Sequence, residues 1–266
     1  MIHATGHRLP RFMKTTLLLP LTLLIGVLVP AAAAESVPPR QILVSVHGAW
    51  AGGWQMKKVA PLLEAQGWKV YRPSLPGLGE HHHLATAAIS LDDHINDIVN
   101  LILFEDLRDI VLLGHSYGGM VITGVADRIP DRIGRLVYLD AFLPVDGESL
   151  MTTPKSGGAQ MDIAKMTRDG FVIPTWVQPD RPLPKDVPHP AKTFSDPIRL
   201  SNPDAARIPI TYILTVDPGK KPEEDTFFAS AERARSRGWP VILMEADHVP
   251  NWRKPEATAE LLLGLK

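Results

Sequence analysis

The chain has 266 residues, with 28 Lys and Arg against 29 Asp and Glu, for a formal net charge of −1. That balance speaks against a nucleic-acid partner, which needs a basic patch. No cysteine is present, which excludes disulfides, thiol nucleophiles and Cys-ligated metals together.

The N-terminal stretch has the order of a secretory signal. Arg8, Arg11 and Lys14 precede an apolar run over residues 17–29, and "PAAAAE" follows, with Ala32 and Ala34 fitting an A-x-A cleavage site. The signal is expected over residues 1–34, starting at Met1 or, in "MKTTLLL", at Met13. The run is interrupted by Pro20 and Gly26 and falls short of the ~20 residues of a membrane span. Export to the periplasm or the medium is therefore expected in preference to an uncleaved anchor. Residues 35–266 remain, enough for one large domain with a sizeable core.

From residue 41 the pattern alternates. "QILVSV" (41–46) reads as a buried strand, "WQMKKVAPLLEAQG" as a helix closed by Gly67, and "WKVYRPSL" as the next strand. "SLDDHINDIVNLILF" places Leu91, Ile95, Ile98, Val99 and Ile102 at helical spacing, with Ser90 and Asp93 as a capping box. A strand over 110–113, a helix over 118–129 and the strand "GRLVYLD" follow. After a long insertion come the strand "IPITYILT", a helix over 227–237, the strand "PVILMEA" and a closing helix over 255–265. Short, uniformly apolar strands alternating with helices predict an α/β fold whose mostly parallel, doubly wound sheet is covered on both faces. Right-handed crossovers then bring the strand-to-helix turns to one edge, where such folds bind ligands. The insertion, about residues 144–208, is dense in proline and carries Met151, Met161, Met166, Phe171 and Trp176. A disordered linker does not need such residues, so a cap over that edge is expected.

The chemistry concentrates at "IVLLGHSYGGM". Gly114-His115-Ser116-Tyr117-Gly118 fits G-x-S-x-G between a strand and a helix, the context in which a sharp turn holds a serine hydroxyl clear of its own backbone. A serine needs a base, and His248 in "EADHVP" follows the final strand, with no other histidine after residue 189. Two carboxylates end strands from which such a base can be reached. Asp217, in "LTVDPG", stands where the serine–acid–histidine order expects the acid, and Asp140, in "LVYLDAF", is the alternative. Asp247 adjoins His248 but is read as structural. Ala49, in the turn after the first strand, and Tyr117 are the expected oxyanion donors, the helix N-terminus adding its partial positive charge. His47 is expected to brace its turn. Trp50, Trp54, Trp176 and His83 are candidates for contact with substrate. "EHHH" (80–83) invites a metal reading, but adjacent side chains diverge, so a solvated loop is expected there.

Together these stretches resemble the α/β-hydrolase superfamily, and within it the methylesterase and hydroxynitrile-lyase group that includes the plant salicylate-binding methylesterases and related bacterial esterases. The likeness lies in "VHGAWAGGWQMKKVAPLLEAQGWKVYRPSLPGLGE", "IVLLGHSYGGMVITGVADRIPDRIGRLVYLDAFLP", "TVDPG" and "ADHVPNW"; the insertion matches poorly. The resemblance implies Ser116 as nucleophile, His248 as base, Asp217 as acid, and Ala49 and Tyr117 as oxyanion donors. Asp140 departs from the small residue of the plant enzymes and keeps the choice of acid open. Val249 stands where the lyases carry a lysine, which disfavours lyase chemistry. The expected function is a serine hydrolase for small, apolar carboxylic esters, needing no cofactor or metal. An amidase, a lyase, or a hydrolase-fold binding or signalling protein with weak turnover are the alternatives.

Overall fold

The computed structural model describes residue 1, residues 41–157 and residues 161–265. Apart from residue 1, the expected signal lies outside the described residues. The first half alternates as β1 (Gln41–Val46), α1 (Ala60–Glu64), β2 (Trp68–Tyr71), α2 (Leu91–Phe104), β3 (Ile110–His115), α3 (Gly118–Arg128) and β4 (Ile133–Leu139). The segment that follows holds α4 (Ile163–Met166), β5 (Thr167–Arg168), β6 (Phe171–Val172), β7 (His189–Pro190) and α5 (Lys192–Ser195). The alternation then resumes with β8 (Ile210–Val216), α6 (Phe228–Ser236), β9 (Val241–Glu245), α7 (Pro250–Arg253) and α8 (Pro255–Leu263).

The long strands form one six-stranded sheet in the order β2-β1-β3-β4-β8-β9, every neighbouring pair parallel. Side chains alternate across it, as a strand's period of two requires. Val44, Val46 and Leu112 join α2, α3 and α6 in one apolar cluster. Leu43, Val111 and Leu113 join α1 and α8 in the other. Covered on both faces, β3 is buried at every position. The chain turns outward from β1 to β2 and then back across to β3, so the carboxyl ends of β1 and β3 flank the crevice where such sheets bind ligands.

Helix α2 starts as its sequence predicts. Ser90 Oγ accepts from the Asp93 N–H at 3.1 Å, and the Asp93 carboxylate accepts from the Ser90 N–H at 2.8 Å. Other boundaries fall short of expectation. The helix predicted from Trp54 is a 3₁₀ turn over Gly53–Met56 and then only α1, because Pro61 has no N–H to give and fits only a first turn. Strand β2 ends at Tyr71, before Pro73 can remove a ladder donor.

Between β4 and β8, strands β5, β6 and β7 form a small antiparallel sheet. Trp50 ties this segment to the turn after β1. Its backbone N–H donates to His189 Nδ1 at 3.0 Å, its indole N–H to the Val172 carbonyl at 2.9 Å, and its own carbonyl accepts from the Val187 N–H at 2.7 Å. The large apolar residues expected to pack here divide: Met166 is buried, while Met151, Met161 and Trp176 stay about half exposed. Among the described residues no helix is long and apolar enough to cross a membrane.

Candidate active site

Ser116 occupies the turn between β3 and α3 with φ of 54°, a left-handed conformation that costs a residue with a Cβ. The turn is held from outside. The Ser116 N–H donates to the Leu139 carbonyl at 3.3 Å, and its own carbonyl accepts from Gly119 and Phe142, both at 3.1 Å. The two glycines after it leave room for neighbouring chain. A Cβ at Gly118 would lie 2.5 Å from the Val46 carbonyl oxygen, and one at Gly119 2.0 Å from that of Phe142. The hydroxyl is thereby presented above the carboxyl edge of the sheet.

His248 comes to it from the turn after β9. Its Nε2 lies 3.0 Å from Ser116 Oγ, and its Nδ1 lies 2.6 Å from Asp140 Oδ2. Asp140 is fully buried. It too has a positive φ, 44°, its backbone N–H donates to the Ile213 carbonyl at 2.7 Å, and its second carboxylate oxygen accepts from the Thr215 N–H at 3.0 Å. With Nδ1 donating to this carboxylate, Nε2 is left as the acceptor facing the hydroxyl. Desolvation favours the neutral ring, but the hydrogen bond to Asp140 and its charge, aided by Asp225 and Asp247, outweigh it and raise the imidazole above its ordinary value. The ring still keeps 43% of its side-chain surface accessible, on the side of the cavity. Phe227 stacks flat on it, ring centres 4.9 Å apart and planes 7° apart. His115 donates from Nε2 to the His248 carbonyl at 2.6 Å and fixes that turn; burial, then the charge of His248, push its own pKa down to about 3.

Ala49 and Tyr117 line the same cavity. Tyr117 is the N-cap of α3, and Ala49 follows a braced turn. There the Gly48 N–H donates to Gln55 Oε1 at 3.1 Å, and His47 Nδ1 donates to the Gly48 carbonyl at 2.7 Å. His47 Nε2 accepts from the Leu75 N–H at 3.0 Å, and burial keeps the ring neutral, its pKa lowered to about 4. Among the described residues no acceptor pairs with the N–H of Ala49 or of Tyr117. The Tyr117 side chain is fixed from below: its hydroxyl donates to His94 Nδ1 at 2.8 Å, and His94 Nε2 donates to the Pro76 carbonyl at 3.0 Å.

These groups line a cavity of about 500 Å³, within the usual range for a small-molecule site. Its walls are largely aromatic, including Trp50, Phe142, Trp176, Phe194 and Phe227. Trp50 and Trp176 meet edge to face at 4.9 Å. Two further carboxyls reach it. Asp225 accepts from the Phe227 N–H at 2.7 Å, and burial, then the charge of Asp140, push it up to about 6. Asp186 accepts from the Trp176 indole N–H at 2.9 Å, and burial raises it. Another cavity, of about 520 Å³, lies between α3 and residues 200–206 and includes none of these groups.

Sequence-predicted site residues therefore divide. Ser116, His248, Ala49, Tyr117, Trp50 and Trp176 all line the one cavity. The carboxylate at the imidazole is that of Asp140, not that of Asp217. Asp217 pairs with Lys220 Nζ at 2.6 Å, 42% exposed, because the turn after β8 closes on itself through the Lys220 N–H and the Asp217 carbonyl. His83 is likewise corrected: exposed, it turns Nδ1 back to the Glu80 carbonyl at 3.1 Å and does not reach the cavity. Asp247 caps the Val249 N–H at 3.0 Å and pairs with Arg253. Phe142, Lys155, Asp225 and Phe227 join the cavity without a sequence motif of their own; of the four, Phe142 alone stands within two residues of a predicted site residue, Asp140.

The model of the alpha/beta hydrolase family matches residues 43–261. A carbendazim hydrolyzing esterase of Nocardioides is 35% identical over 84% of this chain and 98% of its own length. Methylesterase 8 of Arabidopsis thaliana is 25% identical over 92% and 96%. Among solved structures, an extracellular alpha/beta-hydrolase from a Paenibacillus species superposes with a TM-score of 0.63 at 24% identity, covering 84% of this chain and 98% of that one.

Proposed function

The chain belongs to the α/β-hydrolase family and is a carboxylesterase-type hydrolase; we propose that it cleaves esters of small, apolar acids through an acyl-enzyme on Ser116. Neutral His248 takes the Ser116 proton at Nε2 as Oγ adds to the ester carbonyl. The carbonyl oxygen becomes an oxyanion held by the N–H groups of Ala49 and Tyr117, at the N-terminus of α3. Asp140 keeps the imidazole in the working tautomer and offsets its transient positive charge. His248 then returns the proton to the leaving alcohol, and a water, activated in the same way, releases the acid.

The observation that carries this reading is the continuous chain of contacts from Ser116 Oγ through His248 to Asp140, 3.0 and 2.6 Å. Relatives named for esters support the reaction class, and the aromatic walls suit a flat acyl or alcohol group. In this reading residues 144–208 act as a cap whose Trp176 closes one wall, and the N-terminal segment directs export. The test is hydrolysis of short-chain 4-nitrophenyl esters together with labelling by a fluorophosphonate. Ser116→Ala is expected to lower kcat by about 10³-fold or more and to abolish labelling. Equal rates in the two proteins would remove the acyl-enzyme.

A further inference from the structure

The cavity contains one group that this mechanism leaves idle. Among the described residues Lys155 is the only lysine or arginine lining it, and it is half-buried. Its ammonium lies over the face of Phe142, 5.6 Å from the ring centre, and donates to the Leu150 carbonyl at 3.0 Å and the Met151 carbonyl at 3.4 Å. An ammonium has three N–H donors, so one remains. Among the described residues no carboxylate pairs with it, and burial alone acts on it, lowering its pKa. The two carboxyls of the cavity already accept bonds, Asp225 from Phe227 and Asp186 from Trp176. A partly desolvated cation without a counter-ion costs free energy that an anion from outside would return.

Its position says which part of a substrate that anion belongs to. Lys155 stacks over Phe142, Phe142 meets Phe227 edge to face at 4.9 Å, and Phe227 stacks on His248 at 4.9 Å. Along this wall of the cavity two aromatic rings thus lie between the cation and the imidazole. Resting on the ester hydrolysis proposed above, we propose that Lys155 is a specificity-determining residue that binds a carboxylate carried by the substrate remote from its scissile ester. The substrate class proposed above then narrows to small esters whose body is apolar but whose far end carries an anion, in preference to wholly apolar ones. A lysine that merely tied down the turn at residues 150–155 would make the same two carbonyl bonds but would not distinguish charged from neutral esters.

The experiment compares monomethyl adipate with methyl hexanoate, which replaces the far carboxylate by a methyl group, following methanol release. The wild type is expected to prefer the adipate. Lys155→Met is expected to lower the adipate-to-hexanoate ratio of kcat/KM by about tenfold or more, the scale of a lost charge-assisted hydrogen bond. Lys155→Arg, which keeps the charge, is expected to retain most of the preference. In parallel, binding of monomethyl adipate to Ser116→Ala by calorimetry should weaken by a similar factor when Lys155→Met is added. A ratio and an affinity that do not respond to Lys155→Met overturn the inference, whatever the fate of Ser116. If Ser116→Ala still hydrolyses esters while adipate binding depends on Lys155, the acyl-enzyme falls and the anion site stands.

Discussion

At the scale of single residues the decisive contrast is between two aspartates at the ends of neighbouring strands. Asp140 is fully buried and bonded to both His248 and the Thr215 N–H. Asp217 is solvated and spent on Lys220. Asp140→Asn, which preserves shape but lets the imidazole take the wrong tautomer, is expected to lower kcat by roughly 10³–10⁴-fold. Asp217→Asn is expected to stay within about twofold, since exposed ion pairs contribute little. Steady-state kinetics of the two variants on one ester decides it, and the opposite ranking would restore Asp217. The pH profile follows from the same carboxylate. His248 must be neutral to accept a proton, and its pKa is raised, so kcat/KM should fall as pH drops through a value above about 6.5. A half-maximal point below that value would contradict the Asp140 contact. Ser116 and His248 were legible because a strand–serine–helix turn and a histidine after the last strand are local patterns. The acid was not: β4 and β8 lie side by side, and only the positive φ of Asp140 and its bond to Thr215, both set by tertiary packing, turn its carboxylate to the ring.

At the scale of elements, the sheet and its helices were legible where apolar periodicity was long, as in α2 and α3, and less so where proline cut it short. Proline ended β2 early and left α1 a single turn, features that a hydrophobic pattern read without its donors overruns. The walls of the cavity were hardest to read. Phe227 was expected to open a helix and instead precedes α6, where its ring covers the imidazole. The elbow itself is the most exacting element. A methyl at Gly118 would press 2.5 Å from the last carbonyl of β1, so β1 and α3 must separate beside Tyr117, which with Ala49 lines the cavity. Gly118→Ala is expected to lose about 10²-fold or more in kcat, the scale of one misplaced oxyanion donor, with KM affected less. Ser90→Ala supplies the comparison: it removes the cap of α2 at a cost of about 1 kcal/mol, lowering Tm by ~2–4 °C in a domain of this size. Kinetics with calorimetry separates them, because only the glycine variant should lose turnover while still largely folded.

At the scale of the whole molecule, histidines do something that a sequence does not disclose. Its 10 histidines invite catalytic or metal readings, yet His47, His94 and His115 are buried beneath the site. Desolvation comes first among the causes that lower them, to about 4, about 4 and about 3, and His189 is lowered as well. The bonds that His47 accepts from Leu75 and His94 from Tyr117 require neutral rings, while His115, a donor to the His248 carbonyl, is kept neutral by burial. A histidine whose folded pKa is depressed leaves the unfolded chain holding more protons, so its stability is complete above about 6.5 and is lost as pH falls toward the folded value. A fall from 6.5 to about 4, as in His47 and His94, is on the order of 3 kcal/mol for each of these two rings once pH is below both values. Four groups oppose this. His248 is raised, so its contribution is present below about 6.5 and lost as pH rises through its folded value. Asp225, raised to about 6, and Asp97 and Asp186, raised by burial, also favour the folded state at lower pH. The depressed rings of His47, His94, His115 and His189 are on balance displaced further, and His94 does not touch the reacting atoms. Calorimetry from pH 7.5 to pH 4.5 should therefore show Tm falling through the lower half of that window. The fall should be shallower in His94→Gln, whose amide can still accept from Tyr117 but takes up no proton. A Tm that is flat across the window, or a slope that His94→Gln leaves unchanged, would mean that these rings are solvated and that the platform under the proposed oxyanion donors is not the one described.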